Sequence, residues 1–248
     1  MNIQNILTKI TIHPFFYLCA FICMITGHFK VFVLFTMMIT IHELGHIIAS
    51  IFYNWKIEKI VILPFGGITI FNEKINKPLI EEFVIAVSGI LFQILFYLLF
   101  SLFSSNYLLS IIHYTILIFN LMPVHPLDGS KICNIIFNYL FSFKKSLELT
   151  ILLSVIFLVI CSFILNSNLL LYLTFFFLII QVIKEIKNYH FYFEKFLLER
   201  HLYKLKFKKN KIIKGRKNNK MKRDYNHLFI IKNKVYKEKE YLRSLFDN

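Results

Sequence analysis

The chain has 248 residues, 57% of them hydrophobic and 17% aromatic, and its 29 Lys and Arg outnumber its 14 Asp and Glu. So apolar a composition excludes an ordinary soluble domain. The four cysteines form no Cys-x-x-Cys pair and three fall in or near apolar stretches, so they read as packing residues and not as a disulfide framework or metal cluster. What remains is a polytopic membrane protein.

Met1 to Thr11 is mixed polar and apolar with no small-residue cleavage site, so no removable signal peptide is expected. The first apolar segment runs from Pro14 to Thr26, and Pro14 suits a first helical turn. The second, Val31 to Tyr53, contains one formally charged residue, Glu43. As a helix it extends about 35 Å, enough to cross a bilayer. Next come two β-branched runs, Ile57 to Ile62 and Ile68 to Phe71, on either side of Pro64-Phe65-Gly66-Gly67, which read as a β-hairpin. Segment three spans Phe83 to Phe103 and includes Ser88-Gly89, small residues that allow close helix approach. Segment four, Tyr107 to Leu121, breaks at Met122-Pro123, and segments five (Leu149 to Leu165) and six (Leu169 to Ile183) are joined by Asn166-Ser167-Asn168. The fold expected is an all-α polytopic membrane protein of about six transmembrane helices, with a small membrane-associated hairpin. Residues 1–187 would form the membrane domain and 188–248 a short basic cytoplasmic tail.

Charge sets the orientation. From Lys184 onward 20 Lys and Arg face 7 Asp and Glu, so this end holds 13 of the net 15 positive charges. By the positive-inside rule both termini and the loops after segments two and four are cytoplasmic, with Lys30 alone on the other side. The cluster Lys206, Lys208, Lys209, Lys211, Lys214, Arg216 and Lys217 is expected to lie on anionic lipid headgroups and anchor the topology. No nucleic-acid module accompanies it, and no nucleic-acid partner is expected.

The chemistry is concentrated in the second segment, at His42-Glu43-Leu44-Gly45-His46. In a helix the two histidines share a face and can reach one metal ion, while the carboxylate between them can act on a metal-bound water. With 9 His in the chain, H-E-x-x-H should arise by chance about once in seventy such sequences. No Lys or Arg lies in any apolar segment to pair with Glu43, so a purely structural ion pair is disfavoured. A hydrolytic zinc takes three protein ligands and leaves a position for water. Asp128, in Asn120-Leu121-Met122-Pro123-Val124-His125-Pro126-Leu127-Asp128-Gly129, is the best third ligand, because the other acids outside the tail lie in loops or at segment edges. The prolines there interrupt the helix and let irregular backbone face a polar cavity. His125 and His113 are the alternatives.

H-E-L-G-H in one membrane segment, followed by N-x-x-P-x-x-P-L-D-G, resembles the site-2 protease family of intramembrane zinc metalloproteases. The likeness covers roughly residues 10 to 202. Phe65-Gly66-Gly67 and the sequence from Phe193 to Arg200 resemble the branch of that family that processes membrane-associated pro-sigma-K during sporulation. The resemblance implies that His42, His46 and Asp128 bind zinc, that Glu43 is general base and acid, and that Asn120 positions substrate or stabilises the oxyanion. It also implies a membrane-associated substrate, inhibitory membrane partners and, for a sporulating cell, a place in the mother-cell membrane around the forespore. Two departures stand out. Gly89 to Gln93 replaces the G-P-x-x-N of many relatives, and the residues after Arg200 are too few for the CBS domain of the sporulation branch, so a truncated one is expected.

The same residues admit other readings: a site-2 protease acting on an anti-sigma factor or a signal-peptide remnant, a zinc transporter, or an inactive scaffold. The transporter would not need Glu43, and the scaffold would not need an intact set of catalytic positions. The edge of the hairpin is expected either to receive an extended substrate by strand addition or merely to plug the site from lipid.

Overall fold

The computed structural model describes residues 8–63, 66–103, 106–164, 169–203, 205, 207 and 209–246. Within it the chain forms two compact units, residues 1–73 with 83–121, and residues 74–82 with 122–248.

In the first unit β1 (Ile10–Ile12) pairs in parallel with β2 (Ile57–Leu63), and β2 pairs antiparallel with β3 (Gly66–Phe71). The expected hairpin is present, with Ile60 opposite Thr69 and Ile62 opposite Gly67, and its strand order makes β3 an outer strand. Its Pro64-Phe65 tip lies outside the described residues. Helix α1 (Pro14–Ile25) starts at the proline, capped by the His13 ring, which accepts from the Phe15 N–H at 3.3 Å. Helix α2 (Phe29–Phe52) carries the metal motif. Helix α3 (Leu79–Ser101) has Glu81 and Glu82 in its first turn, where carboxylates suit the helix dipole. Helix α4 (Tyr107–Leu121) is capped by Asn106, whose Oδ1 accepts from Leu108 N at 3.1 Å and Leu109 N at 3.3 Å. Met38 and Ile39 of α2 pack with Leu109, Ile112 and Ile116 of α4, while Ile47 packs on Ile57 and Ile60 of the sheet.

In the second unit, α5 (Asp128–Leu140), α6 (Phe143–Ile164) and α7 (Leu169–Leu202) precede a second sheet of β4 (Lys209–Lys214), β5 (Tyr225–Ile231) and β6 (Lys234–Lys237), with a 3-10 turn at Asn218–Lys220 and a closing helix α8 (Glu238–Phe246). Strand β4 runs parallel to β5, and β6 antiparallel to it. One apolar core holds this end together: Phe143, Leu147, Phe196, Leu197, Ile213, Met221, Phe229, Tyr241 and Leu242. The described part of the basic end is therefore a folded lobe, with Lys209, Lys214, Lys217 and Lys220 exposed on it. Helix α7 runs unbroken through the expected 187/188 boundary.

The chain is mostly helical, and among the described residues three helices are long and apolar enough to span a membrane: Phe29–Phe52, Leu79–Ser101 and Phe143–Phe163. Pro14–Ile25 and Tyr107–Leu121 are shorter apolar helices. At 1.5 Å per residue they reach about 18 and 22 Å, against a hydrocarbon core of about 30 Å. The connection Asn166-Ser167-Asn168 lies outside the described residues. Large apolar side chains such as Leu98, Leu102, Ile118 and Phe163 are exposed, as expected for a protein whose solvent is lipid.

Candidate active site

The site in the first unit begins with two glycines that bring α2 against α3. A Cβ on Gly45 would lie 2.5 Å from the Ser88 carbonyl oxygen, and a Cβ on Gly89 would lie 2.3 Å from His46 Nε2. Only hydrogen at both positions permits this approach. Its consequence is that a side chain of α2 reaches the backbone of α3: His46 Nδ1 lies 2.7 Å from the Ile85 carbonyl oxygen. A carbonyl only accepts, so His46 donates from Nδ1 and its lone pair is on Nε2.

His42 is fixed by a longer chain of the same logic. Gln93, fully buried, donates its amide nitrogen to the His113 carbonyl at 3.0 Å, which turns Oε1 toward His42 Nδ1 at 3.0 Å. His42 therefore also donates from Nδ1 and keeps its lone pair on Nε2. The two Nε2 atoms face one another 3.1 Å apart, with both rings buried. Two lone pairs at that distance repel unless a cation lies between them. Ligands of a tetrahedral zinc, each about 2.0–2.1 Å from the metal, are separated by roughly 3.3 Å. An imidazole that donates its second nitrogen to a carbonyl or amide oxygen is the usual arrangement of a metal-bound histidine. The pair fits zinc.

Glu43 lies half-buried on the next part of α2 and is held by the hairpin. Thr69 of β3 donates its hydroxyl to Glu43 Oε2 at 2.9 Å. Gly67 provides the room, since a Cβ there would lie 2.4 Å from Glu43 Cγ. Asn120 is in the last turn of α4, and its amide donates to the Ile116 carbonyl at 3.1 Å. The two alternative ligands are otherwise engaged. The His113 ring stacks on Tyr97, centroids 4.1 Å apart, and in the second unit His125 faces Glu185 at 3.5 Å. Asp128 is the buried first residue of α5, and its Oδ1 accepts from Lys131 Nζ at 2.9 Å.

A buried H-E-x-x-H pair with committed Nδ1 protons, on an apolar spanning helix, is the core of a membrane metallohydrolase, and comparison with known proteins agrees. Residues 30–108 match the model of peptidase family M50. Stage IV sporulation protein FB of Bacillus subtilis is 31% identical over 212 residues, which cover 79% of this chain and 73% of that protein. The chain belongs to peptidase family M50, the site-2 proteases.

This site-2 protease is also 30% identical over 128 residues to a zinc metalloprotease of Methanocaldococcus jannaschii, covering 48% of this chain and 37% of that one. The solved structure of the site-2 protease from the same archaeon aligns with a TM-score of 0.55 at 26% identity, over 71% of this chain and 89% of the other. The protein is thus a membrane metalloprotease, and its family implies zinc. Sequence reasoning named His42, Glu43 and His46, but it missed the groups that hold them. In the sequence Gln93 stands out only as a departure from a family motif and Thr69 only as part of a hairpin, and the Ile85 acceptor is a backbone atom that no side-chain motif announces.

Proposed function

We propose that this site-2 protease hydrolyses a peptide bond of a membrane-associated protein in or near the bilayer, using zinc held by His42, His46 and Asp128. The observation that carries the metal assignment is the facing pair of Nε2 atoms, 3.1 Å apart on rings whose Nδ1 protons are already donated. Asp128 joins them on the strength of the P-L-D-G sequence and its buried carboxylate at the head of α5. When bound, zinc supplies an acidified water near neutral pH and a Lewis acid for the scissile carbonyl.

The chain's own residues do the rest. Glu43 takes the proton of the attacking water and returns it to the leaving amine, and Thr69 holds one of its oxygens so that the other faces the reaction. Asn120 offers an amide donor to the substrate or oxyanion once it releases Ile116. Strand β3, outermost in its sheet and bearing Thr69, receives the substrate as an added strand, which unwinds the peptide bond to be cut.

The substrate is pro-sigma-K-like and the setting is sporulation, a reading supported by the 31% identical sporulation relative. Residues 1–187 then form the protease domain and 188–248 a basic cytoplasmic region. Both termini are cytoplasmic, in the mother-cell membrane around the forespore, with membrane partners that hold the enzyme inactive.

The test is co-expression with a pro-sigma-K-like substrate, followed by immunoblot, for wild type, Glu43→Gln and Asp128→Asn. A shortened product with wild type alone supports the proposal. A product with all three refutes the assigned site, and zinc-loaded wild type without product moves the substrate to an anti-sigma factor or a signal-peptide remnant.

A further inference from the structure

A side-chain amide can turn about its last bond and exchange its oxygen for its nitrogen, so Gln93 orients His42 only if the amide is itself held. His113 of α4 holds it, and it meets the Gln93 nitrogen twice. Its carbonyl oxygen accepts from Gln93 Nε2 at 3.0 Å, and its ring Nδ1 lies 3.3 Å from the same nitrogen. An amide nitrogen only donates, so the ring accepts there, with its lone pair on Nδ1 and its proton on Nε2. The exchanged amide would set Oε1 against two acceptors and turn a donor toward His42 Nδ1.

The His113 ring is fixed in turn from α3. Gln93 and Tyr97 are four residues apart on that helix and so share a face. Tyr97 lies flat on the His113 ring, centroids 4.1 Å and planes 6° apart, and its hydroxyl donates at 3.0 Å to Ser110 Oγ, one turn before His113 on α4. Gln93 is fully buried and His113 is 2% exposed, so a donor left unmade at this place finds no water to replace its partner. A phenylalanine in place of His113 would fill the same space and stack as well on Tyr97. What it lacks is an acceptor for Gln93.

We propose, on the reading of His42 as a metal ligand, that His113 is a positioning residue of the active site, its side chain holding the Gln93 amide in the orientation that leaves the His42 lone pair on Nε2. It acts through Gln93 and not on the metal or the substrate. His42, Gln93, Tyr97 and His113 all belong to α2, α3 and α4 of the first unit, so the relay is complete within it.

The experiment uses the full chain in detergent: wild type, His113→Phe, His113→Asn, Gln93→Leu, and His113→Phe combined with Gln93→Leu. Phenylalanine keeps the stack and removes the acceptor, whereas asparagine gives up the stack but presents Oδ1 close to the place of Nδ1. Zinc affinity is read by competition with a chromophoric chelator. In the metal-free protein, above the ordinary histidine pKa of about 6.5, the nitrogen-15 signals of His42 report which ring nitrogen carries the proton. His113→Phe should weaken zinc binding about 2- to 10-fold, the worth of one hydrogen bond, and give His42 a mixture of its two neutral tautomers. His113→Asn should lie nearer wild type in both readouts. Added to Gln93→Leu, His113→Phe should bring no further loss, because the contact through which it acts is already gone. A folded His113→Phe protein with wild-type zinc affinity and a single His42 tautomer would overturn the proposal. Equal losses with and without Gln93 would overturn it too, since His113 would then only pack; His113→Leu serves in the same comparison if the phenylalanine variant does not fold. Failure of wild type to bind zinc would instead refute the metal reading, while the His42 tautomer in the metal-free protein still decides the role of His113.

Discussion

Replacing Gln93 by leucine separates the packing of the site from its hydrogen bonding. Leucine keeps most of the volume in a fully buried position but removes the acceptor of the His42 Nδ1 proton and the donor to the His113 carbonyl. Leaving one buried donor unpaired costs about 1–3 kcal/mol. Loss of a partner of a metal-bound histidine typically weakens metal affinity about 10- to 100-fold, which is about 1.4 to 2.8 kcal/mol. The two figures agree, so the full effect should appear as metal affinity, because Gln93 is the acceptor that holds the His42 proton on Nδ1 and leaves the lone pair on Nε2. The assay is a zinc competition titration on purified protein, with the melting temperature of the metal-free form as a check on folding. Gln93→Glu, which keeps an acceptor for His42, should bind zinc more tightly than Gln93→Leu. A folded Gln93→Leu protein with wild-type zinc affinity would refute the argument that Gln93 sets the His42 tautomer.

Further outcomes follow from the same contacts. Gly89→Ala drives a methyl group to 2.3 Å from His46 Nε2, so the purified protein should lose most of its zinc, measured by elemental analysis, and about 1–3 kcal/mol of stability from overpacking. Thr69→Val removes the donor to Glu43 Oε2 and should slow substrate cleavage about tenfold, as expected for loss of a hydrogen bond to a charged group, with bound zinc unchanged. In the C-terminal lobe, burial lowers the pKa of His227, whose Nε2 accepts from Lys222 N at 3.0 Å and whose Nδ1 donates to Glu238 at 2.8 Å. Burial pushes Glu238 up, but the His227 hydrogen bond and the Arg200 charge outweigh it and hold the carboxyl low. For both groups the folded state binds protons less readily than the unfolded one, so their stabilisation is present above the unfolded pKa values and is lost as pH falls. The His227 share begins to go below about 6.5 and the Glu238 share below about 4.5. Hydrogen exchange of residues 209–246, corrected for its intrinsic pH dependence, should therefore accelerate between pH 7.5 and 5.5, and His227→Gln should flatten that rise.

The elements that were legible in the sequence are those with local causes. Pro14 marks the start of α1, the break at Met122-Pro123 follows the end of α4, and the β-branched runs around Gly66-Gly67 give the hairpin. What stayed hidden depends on distant partners. Strand β1 exists because Ile10 pairs with Ile60, a register that Met1 to Thr11 does not display. Helix α5 is amphipathic and buries Ser130 and Asn138 along with Ile135, so it contains no continuous apolar run of the kind that marks the other segments. The second half of α7 follows an apolar run that ends at Ile183, and what buries Phe196 and Leu197 is the lobe formed by residues still further on. That lobe was masked by its own charge: composition reports the lysines on its surface, whereas the core depends on a few residues such as Met221 and Phe229 spaced among them.

The site divides along the same line. Two histidines four apart on a helix specify which side chains meet, because that spacing is a property of one element. Which nitrogen of each ring carries the lone pair is decided elsewhere, by an acceptor-only carbonyl at Ile85 and by an amide whose orientation is dictated by the carbonyl of His113. A motif can therefore name the ligands of a metal while leaving their protonation unspecified. An H-E-x-x-H helix transplanted without Gly45, Gly89 and Gln93 would retain the residues but not the facing Nε2 atoms with committed Nδ1 protons.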